Sequence, residues 1–114
     1  MRMKKETRPW GSYEVLLDSE YCKVKRITVN SGHRLSYQYH HKRSEVWTIV
    51  RGAGKVILND KEVLISAGDV IQIPQGMKHR IQNNNNSELV FIEVQQGTYF
   101  GEDDIVRLQD DYNR

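Results

Sequence analysis

The sequence has a single cysteine, few prolines and no long apolar run. Cys22 has no partner for a disulfide within the chain, which excludes a disulfide-stapled scaffold or a cysteine-rich zinc ribbon. No apolar stretch approaches the roughly 18 residues that a membrane-spanning helix requires. The basic start of the chain leads into no apolar segment of the kind found in secretory signals. We therefore expect a cytoplasmic protein that binds no membrane.

A strong excess of one charge sign is also missing. The chain has 17 Lys and Arg against 15 Asp and Glu, a formal net charge of +2. Such a balance argues against a chain built mainly to hold nucleic acid. The 114 residues have the length of one ordinary domain. We expect a single domain over residues 1–114, long enough to bury a core.

What the sequence does have is an alternation of apolar and polar residues with a period of two, which is typical of β-strands. Turn residues separate the runs at the spacing of an all-β sandwich or small barrel. The predicted strands are Tyr13–Asp18, Tyr21–Val29, Arg34–His40, Glu45–Val50, Lys55–Asn59, Lys61–Ile65, Asp69–Ile73, His79–Asn83 and Glu88–Gln95. Asn59–Asp60 predicts a hairpin turn. The tail from Gly101 is predicted as either a short helix or an irregular turn.

Four side chains that can ligate a metal follow one another along these strands. They are Gln38, His40, Glu45 and His79. The first two are two residues apart, so on a strand they project from one face. Glu45 opens the next strand, where antiparallel pairing would bring it beside His40. Two imidazoles, one carboxylate and one amide oxygen suit a divalent ion with room for water or substrate.

Glycines at fixed distances flank this set. The segment Gly32–Gly52 has the spacing Gly-x5-Gln-x-His-x4-Glu-x6-Gly, and Gly68–Asn83 has the spacing Gly-x5-Pro-x-Gly-x2-His-x3-Asn. The two segments resemble the first and second motifs of the cupin family, with Gln38 where most cupins have a histidine. The resemblance implies an all-β fold, the double-stranded β-helix or jelly-roll barrel, followed here by a short C-terminal tail.

A closer resemblance extends from Arg8 to Arg114. It is carried by Arg8-Pro9-Trp10-Gly11, by the metal-ligand segment and by the tail Gly101–Arg107. These segments resemble the C-terminal domain of type II mannose-6-phosphate isomerases. The resemblance implies interconversion of mannose 6-phosphate and fructose 6-phosphate, with a divalent ion on the four ligands. The resemblance implies zinc as the first candidate for this ion, with manganese, cobalt, nickel and iron as alternatives.

Two other functions stay open. One is a cupin that holds a metal or a sugar phosphate without catalysis, and the other is a different sugar isomerase or epimerase. Relatives of this kind usually carry an N-terminal mannose-1-phosphate guanylyltransferase domain. This sequence has no glycine-rich nucleotide-binding segment, so we expect no guanylyl transfer.

The resemblance makes Arg107 a catalytic or substrate-binding residue. Arginine normally stays charged, so we interpret Arg107 as orienting substrate or stabilising charge. Glu102, Asp103 and Asp104 are candidates for orienting Arg107 or for supplying the base that an enediol mechanism requires.

Basic residues are the candidates for binding the substrate phosphate. They are Arg8, Lys23, Lys25 and Arg43. The two lysines share one face of a strand, which predicts either an inward basic pair or an exposed basic face. A homodimer is expected because barrel edge strands gain from being covered, with residues 1–10 as a candidate exchange arm.

Overall fold

Eleven β-strands make up the fold in a computed structural model, which describes residues 4–112. The start of the predicted exchange arm, residues 1–3, and Arg114 of the tail lie outside that range. The strands are β1 (Lys4–Arg8), β2 (Gly11–Asp18), β3 (Cys22–Val29), β4 (Tyr37–Tyr39), β5 (Arg43–Arg51), β6 (Ala53–Leu58), β7 (Lys61–Ser66), β8 (Val70–Ile73), β9 (His79–Gln82), β10 (Leu89–Gly97) and β11 (Val106–Gln109). Between residues 4 and 112, no helix is long and apolar enough to cross a membrane.

The strands form two antiparallel sheets. The first has the order β1-β2-β3-β10-β5-β8, and the second has the order β11-β4-β9-β6-β7. Strands distant in sequence are neighbours in both sheets, as β3 and β10 are, which is the connectivity of a jelly roll. The predicted all-β class is confirmed.

The core lies between the sheets because alternate residues of each strand point inward. In β5 and β10, the inward residues are buried and their neighbours are partly exposed. Phe91, Ile49 and Ile81 are among the largest side chains with almost no exposed surface. Toward the other end of the sandwich, the inward-facing residues of β3, β5 and β10 are polar. Lys25, Glu45 and Glu93 are buried there. One end of the sandwich is therefore apolar and the other carries buried charge.

Two edge strands were not predicted. Residues Lys4–Arg8 pair with β2 of the same chain, and Val106–Gln109 pair with β4. Lys4–Arg8 has no apolar residue and Val106–Gln109 has only four residues, so neither shows an alternation long enough to predict a strand, and neighbouring strands supply the pairing. Of the two alternatives predicted for the tail, the short helix is wrong and the turn is confirmed, because residues 102 and 103 form a turn that leads into β11.

Glycine is required where the backbone enters the left-handed region. Gly52, Gly68 and Gly76 have φ of 85°, 100° and 79°, as their turn positions predict. The Asn59–Asp60 turn also has positive φ at both residues, which matches a two-residue hairpin loop between β6 and β7.

Gly52 and Gly68 are expected to tolerate alanine very differently. A Cβ at residue 52 would lie 2.4 Å from the carbonyl oxygen of Glu88, whereas a Cβ at residue 68 meets nothing within 4 Å. Gly68→Ala should cost about 1–2 kcal/mol of unfolding free energy from backbone strain alone. Gly52→Ala should cost about 3 kcal/mol or more, because main chain must move as well. Denaturant titration of both variants measures the difference, and equal losses would contradict the close approach.

Candidate metal centre and its cavity

Three predicted ligands meet in the buried polar end of the sandwich. Side-chain atoms of His40, Glu45 and His79 lie within 4.8 Å of one another. Glu45 Oε2 is 3.2 Å from His40 Nε2, and Glu45 Oε1 is 3.8 Å from His79 Nε2. All three residues are at least 98% buried. The group has the donor types and the spacing of a divalent-metal site.

Both imidazoles are held with the ligating nitrogen free of hydrogen. His40 Nδ1 lies 2.6 Å from the carbonyl oxygen of Asp104, and His79 Nδ1 lies 2.9 Å from that of Met77. A carbonyl oxygen only accepts, so each Nδ1 carries the hydrogen and each Nε2 keeps its lone pair. Burial lowers the pKa of His40 to about 4, with the Arg43 charge as the second cause. Burial also lowers the pKa of His79. Neutral rings with directed lone pairs are what a metal ion needs.

The fourth predicted ligand, Gln38, lies on the neighbouring strand. It pairs directly opposite His79 in the second sheet, which places both side chains on one face. Its Oε1 accepts a hydrogen bond of 2.7 Å from the Ser36 hydroxyl. Gln38 also lines the adjoining cavity.

The chemistry of the group fits a metal ion. His79 Nε2 is buried and has no hydrogen-bond partner, and an unpartnered buried lone pair is rare in folded proteins. Two imidazoles and a carboxylate suit zinc as well as manganese, cobalt, nickel or iron. A metal-binding triad of His40, Glu45 and His79 is thus consistent with the predicted cofactor class.

A cavity of about 130 Å³ adjoins the ligand group. Aromatic side chains form part of its wall, and charged side chains of both signs surround them. The charged lining residues are Arg8, Lys25, Arg43, Glu93, Glu102 and Arg107. The aromatic lining residues are Trp10, Tyr13, Trp47 and Phe91. Apolar walls with a few converging charged groups are typical of small-molecule sites.

Glu93 is the main residue of the cavity that sequence reasoning missed. Its neighbours across the sheet are Lys25 on β3 and Trp47 on β5. Burial and, second, the charge of the Glu45 carboxylate raise the pKa of Glu93 to about 8. A signal was present, because Glu93 is a charged residue at an inward position of β10, in line with the apolar Leu89 and Phe91.

The predicted basic residues occupy different positions. Lys25 is buried, its Nζ is 2.5 Å from Glu102 Oε1 and lies 4.3 Å above the ring of Tyr13. Lys23 is 3.5 Å from the same carboxylate but does not line the cavity. Arg8 lines the cavity and forms a 2.7 Å ion pair with Glu6. The two lysines therefore face inward, and Glu102 lies across them.

The predicted tail residues make different contacts, and of Asp103, Asp104 and Arg107 only Arg107 lines the cavity. Arg107 is exposed, lines the cavity and pairs with Gln38 through the backbone. Asp103 accepts a hydrogen bond from the Tyr99 hydroxyl. The carboxylate of Asp104 accepts from the backbone N–H groups of His41 and Lys42, at 3.0 and 2.9 Å. Asp104 also accepts a hydrogen bond from His40 Nδ1 through its backbone carbonyl, so it positions this predicted ligand. It is not among the residues that line the cavity.

Arg43 lies within the ligand group itself. Its Nε donates to Glu45 Oε2 at 2.9 Å, and its Nη2 lies 3.3 Å from His40 Nε2. Its Nη1 is buried without a hydrogen-bond partner. Sequence reasoning placed Arg43 among the phosphate-binding residues, and its main contacts here are with the predicted metal ligands.

Sequence comparison identifies relatives over almost the whole chain. The family described as "Mannose-6-phosphate isomerase C-terminal" matches residues 1–110. The chain is 44% identical over 111 residues to the xanthan biosynthesis protein XanB of Xanthomonas campestris, which is 97% of this chain and 24% of XanB. It is 42% identical over 107 residues to a mannose-1-phosphate guanylyltransferase of Escherichia coli, covering 94% of this chain and 23% of that protein. The chain thus spans about a quarter of the length of the curated relatives it matches.

Solved structures share the fold. CapF, a capsular polysaccharide assembling protein of Staphylococcus aureus, aligns with a TM-score of 0.84 and 22% identity over 96% of this chain and 33% of CapF. A Klebsiella pneumoniae protein with a double-stranded β-helix domain aligns with a TM-score of 0.74 and 19% identity over 82% of this chain and 80% of that one. The predicted cupin-type β-helix is therefore confirmed as the fold, although the two sheets are not closed into a complete barrel.

The predicted activity needs correction. Interconversion of mannose 6-phosphate and fructose 6-phosphate is wrong as an assignment for this chain. The curated relatives are named for guanylyl transfer and polysaccharide biosynthesis, and the chain matches only about a quarter of each. The two functions held open beside it gain no better support. What the relatives do establish is a connection with sugar metabolism.

Proposed function

Because this chain belongs to the mannose-6-phosphate isomerase C-terminal family, we propose that it is a metal-dependent enzyme of sugar metabolism that binds a phosphorylated sugar in its cavity. The observation that carries the proposal is the position of the His40, Glu45 and His79 group. It lies beside a cavity lined by four basic side chains, so a metal and an anionic ligand have adjacent places.

The metal would be held by His40, Glu45 and His79, with Gln38 as a fourth ligand from the adjacent strand. Zinc is the first candidate, since a tetrahedral N/O shell suits it well. When bound, such an ion polarises a carbonyl or hydroxyl oxygen of a sugar. The chain's own contribution is to fix both imidazole rings through Asp104 and Met77 and to exclude bulk water by burial.

The phosphate would be bound by the basic side chains of the cavity. Lys25 stands at its inner wall and Arg107 at its rim, and both supply donors that suit phosphate oxygens. Arg8 adds a third cation at the mouth. The aromatic walls formed by Trp10, Tyr13 and Trp47 offer flat apolar surface to the carbon-bound hydrogens of a sugar ring.

Glu93 supplies the cavity with a carboxyl group that holds a proton at neutral pH. Its pKa is raised to about 8, first by burial and then by Glu45. A carboxyl group with a pKa near the working pH can both donate and accept a proton. Glu102 is the second candidate for this role, but its ion pairs with Lys25 and Lys23 favour the carboxylate form.

Binding of hexose phosphates is the direct test. Calorimetry with manganese-loaded protein should detect binding of hexose 1- or 6-phosphates, and the parent hexoses should bind more weakly by about 10-fold or more. Lys25→Met should remove most of that preference, because it removes the buried cation. Lys55→Met, which replaces a lysine paired with Glu62 outside the cavity, should change nothing. Equal binding with and without phosphate, or an unaltered Lys25→Met variant, would contradict the proposal.

Homodimer formation and a cytoplasmic location stay predictions. In this chain, Lys4–Arg8 pairs with its own β2 and forms one edge of the first sheet. An edge strand with free backbone groups can pair with a second copy. Sedimentation analysis decides whether it does so in solution.

A further inference from the structure

We propose that Arg43 is an internal counter-cation that competes with the metal ion for the ligand group, so that metal binding expels its guanidinium into the cavity. The inference rests on the metal site of the proposed function. It adds that the site already holds a cation supplied by the chain.

The competition follows from a count of lone pairs on His40. The Nδ1 hydrogen of His40 is committed to the carbonyl oxygen of Asp104, so Nε2 has one lone pair and no hydrogen. Arg43 Nη2 lies 3.3 Å from that Nε2 and can only donate. A metal–nitrogen bond needs the same lone pair. Arg43 and a metal ion therefore cannot both occupy His40 Nε2.

The carboxylate of Glu45 leads to the same conclusion. Arg43 Nε donates to its Oε2 at 2.9 Å, and Trp47 Nε1 donates to its Oε1 at 3.0 Å. The side chains of Arg43 and Glu45 are both almost fully buried. A buried carboxylate without a compensating charge is strongly destabilising, and the Arg43 guanidinium supplies that charge. A divalent ion would supply it instead, so the guanidinium is replaceable in this role.

The structure also indicates where the guanidinium goes. Arg43 lines the cavity, and its Nη1 is buried without a hydrogen-bond partner. The same cavity contains the carboxyl groups of Glu93 and Glu102. A guanidinium released from Glu45 thus has acidic groups within reach in the cavity.

Metal affinity of an arginine variant tests the competition directly. Arg43→Met keeps a long apolar side chain and removes the competing cation. Calorimetric titration with cobalt, together with its visible absorption, should show binding about 10- to 100-fold tighter than in the parent. Arg80→Met is the matched control. Arg80 is similarly buried, at 2% exposed against 6% for Arg43, but its guanidinium donates to Leu35 and Gln109 and makes no hydrogen bond to a ligand side chain. Unchanged or weaker cobalt binding by Arg43→Met would overturn the inference.

A measurement on the unmodified protein covers the case in which Arg43→Met does not fold. The Nε–H group of Arg43, bonded to a buried carboxylate, should give a distinct signal in a nitrogen–proton NMR spectrum. Stoichiometric zinc should shift or remove this signal while that of Arg80 stays in place. If zinc binds and the Arg43 signal does not move, the inference fails and the metal site stands. If zinc does not bind at all, the proposed function fails.

Discussion

Replacing His79 with alanine is expected to weaken divalent-metal binding by about 100-fold or more. The reason is that His79 supplies one of three ligand atoms, and that its Nε2 has no other partner in the described structure. Calorimetric titration of the stripped protein with zinc measures the loss.

Two further variants separate a ligand effect from a folding effect. His79→Gln keeps much of the buried volume and should also lose metal affinity. His41→Ala removes an exposed imidazole one residue from His40 and should bind zinc as the parent does. If His79→Ala and His41→Ala bind zinc equally well, the assigned ligand group is wrong.

The stability of the metal-free protein is expected to depend on Glu93 above neutral pH. Its pKa is raised from 4.5 to about 8, first by burial and then by Glu45. Between these values the folded protein holds a proton that the unfolded chain releases. The contribution of Glu93 to the free energy of unfolding is therefore fully present below pH 4.5 and is lost as the pH rises through 8.

The two histidines act in the opposite direction but over a lower range. Their folded pKa values are lowered from 6.5, mainly by burial, so their contribution grows with pH and is complete above 6.5. Glu93 should therefore dominate the pH dependence of stability from about pH 6.5 to 8. Over this range the free energy of unfolding should fall by about 2 kcal/mol. Urea unfolding in the presence of a chelator should show this loss in the parent and not in Glu93→Gln.

An exposed glutamate provides the charge-matched control for that experiment. Glu88→Gln makes the same change in formal charge near the start of β10, where the side chain is exposed. The free energy of unfolding of this variant should fall with rising pH as that of the parent does. If Glu93→Gln also declines as the parent does, the pH dependence arises from another group.

Much of the fold could be read from local sequence. The alternation in Glu45–Val50 and Glu88–Gln95 predicted β5 and β10 to within two residues, because a strand buried on one face must alternate. Positive φ at Gly52 and Gly68 followed from turn position. The edge strands β1 and β11 escaped prediction because the neighbouring strands, not their own residues, determine their pairing.

The sequence by itself determined most of the strand pattern, the glycine turns and the candidate metal-ligand residues, since these depend on residue spacing along the chain. Tertiary structure decided the rest of the site. Glu93 meets Lys25 and Trp47 only through the register of β10 with β3 and β5, and Asp104 reaches His40 from a tail more than 60 residues away. The place of Arg43 inside the ligand group depends on the packing of its side chain, which spacing does not specify. Burial then sets the charge of each of these groups, because desolvation acts only once the sheets have packed.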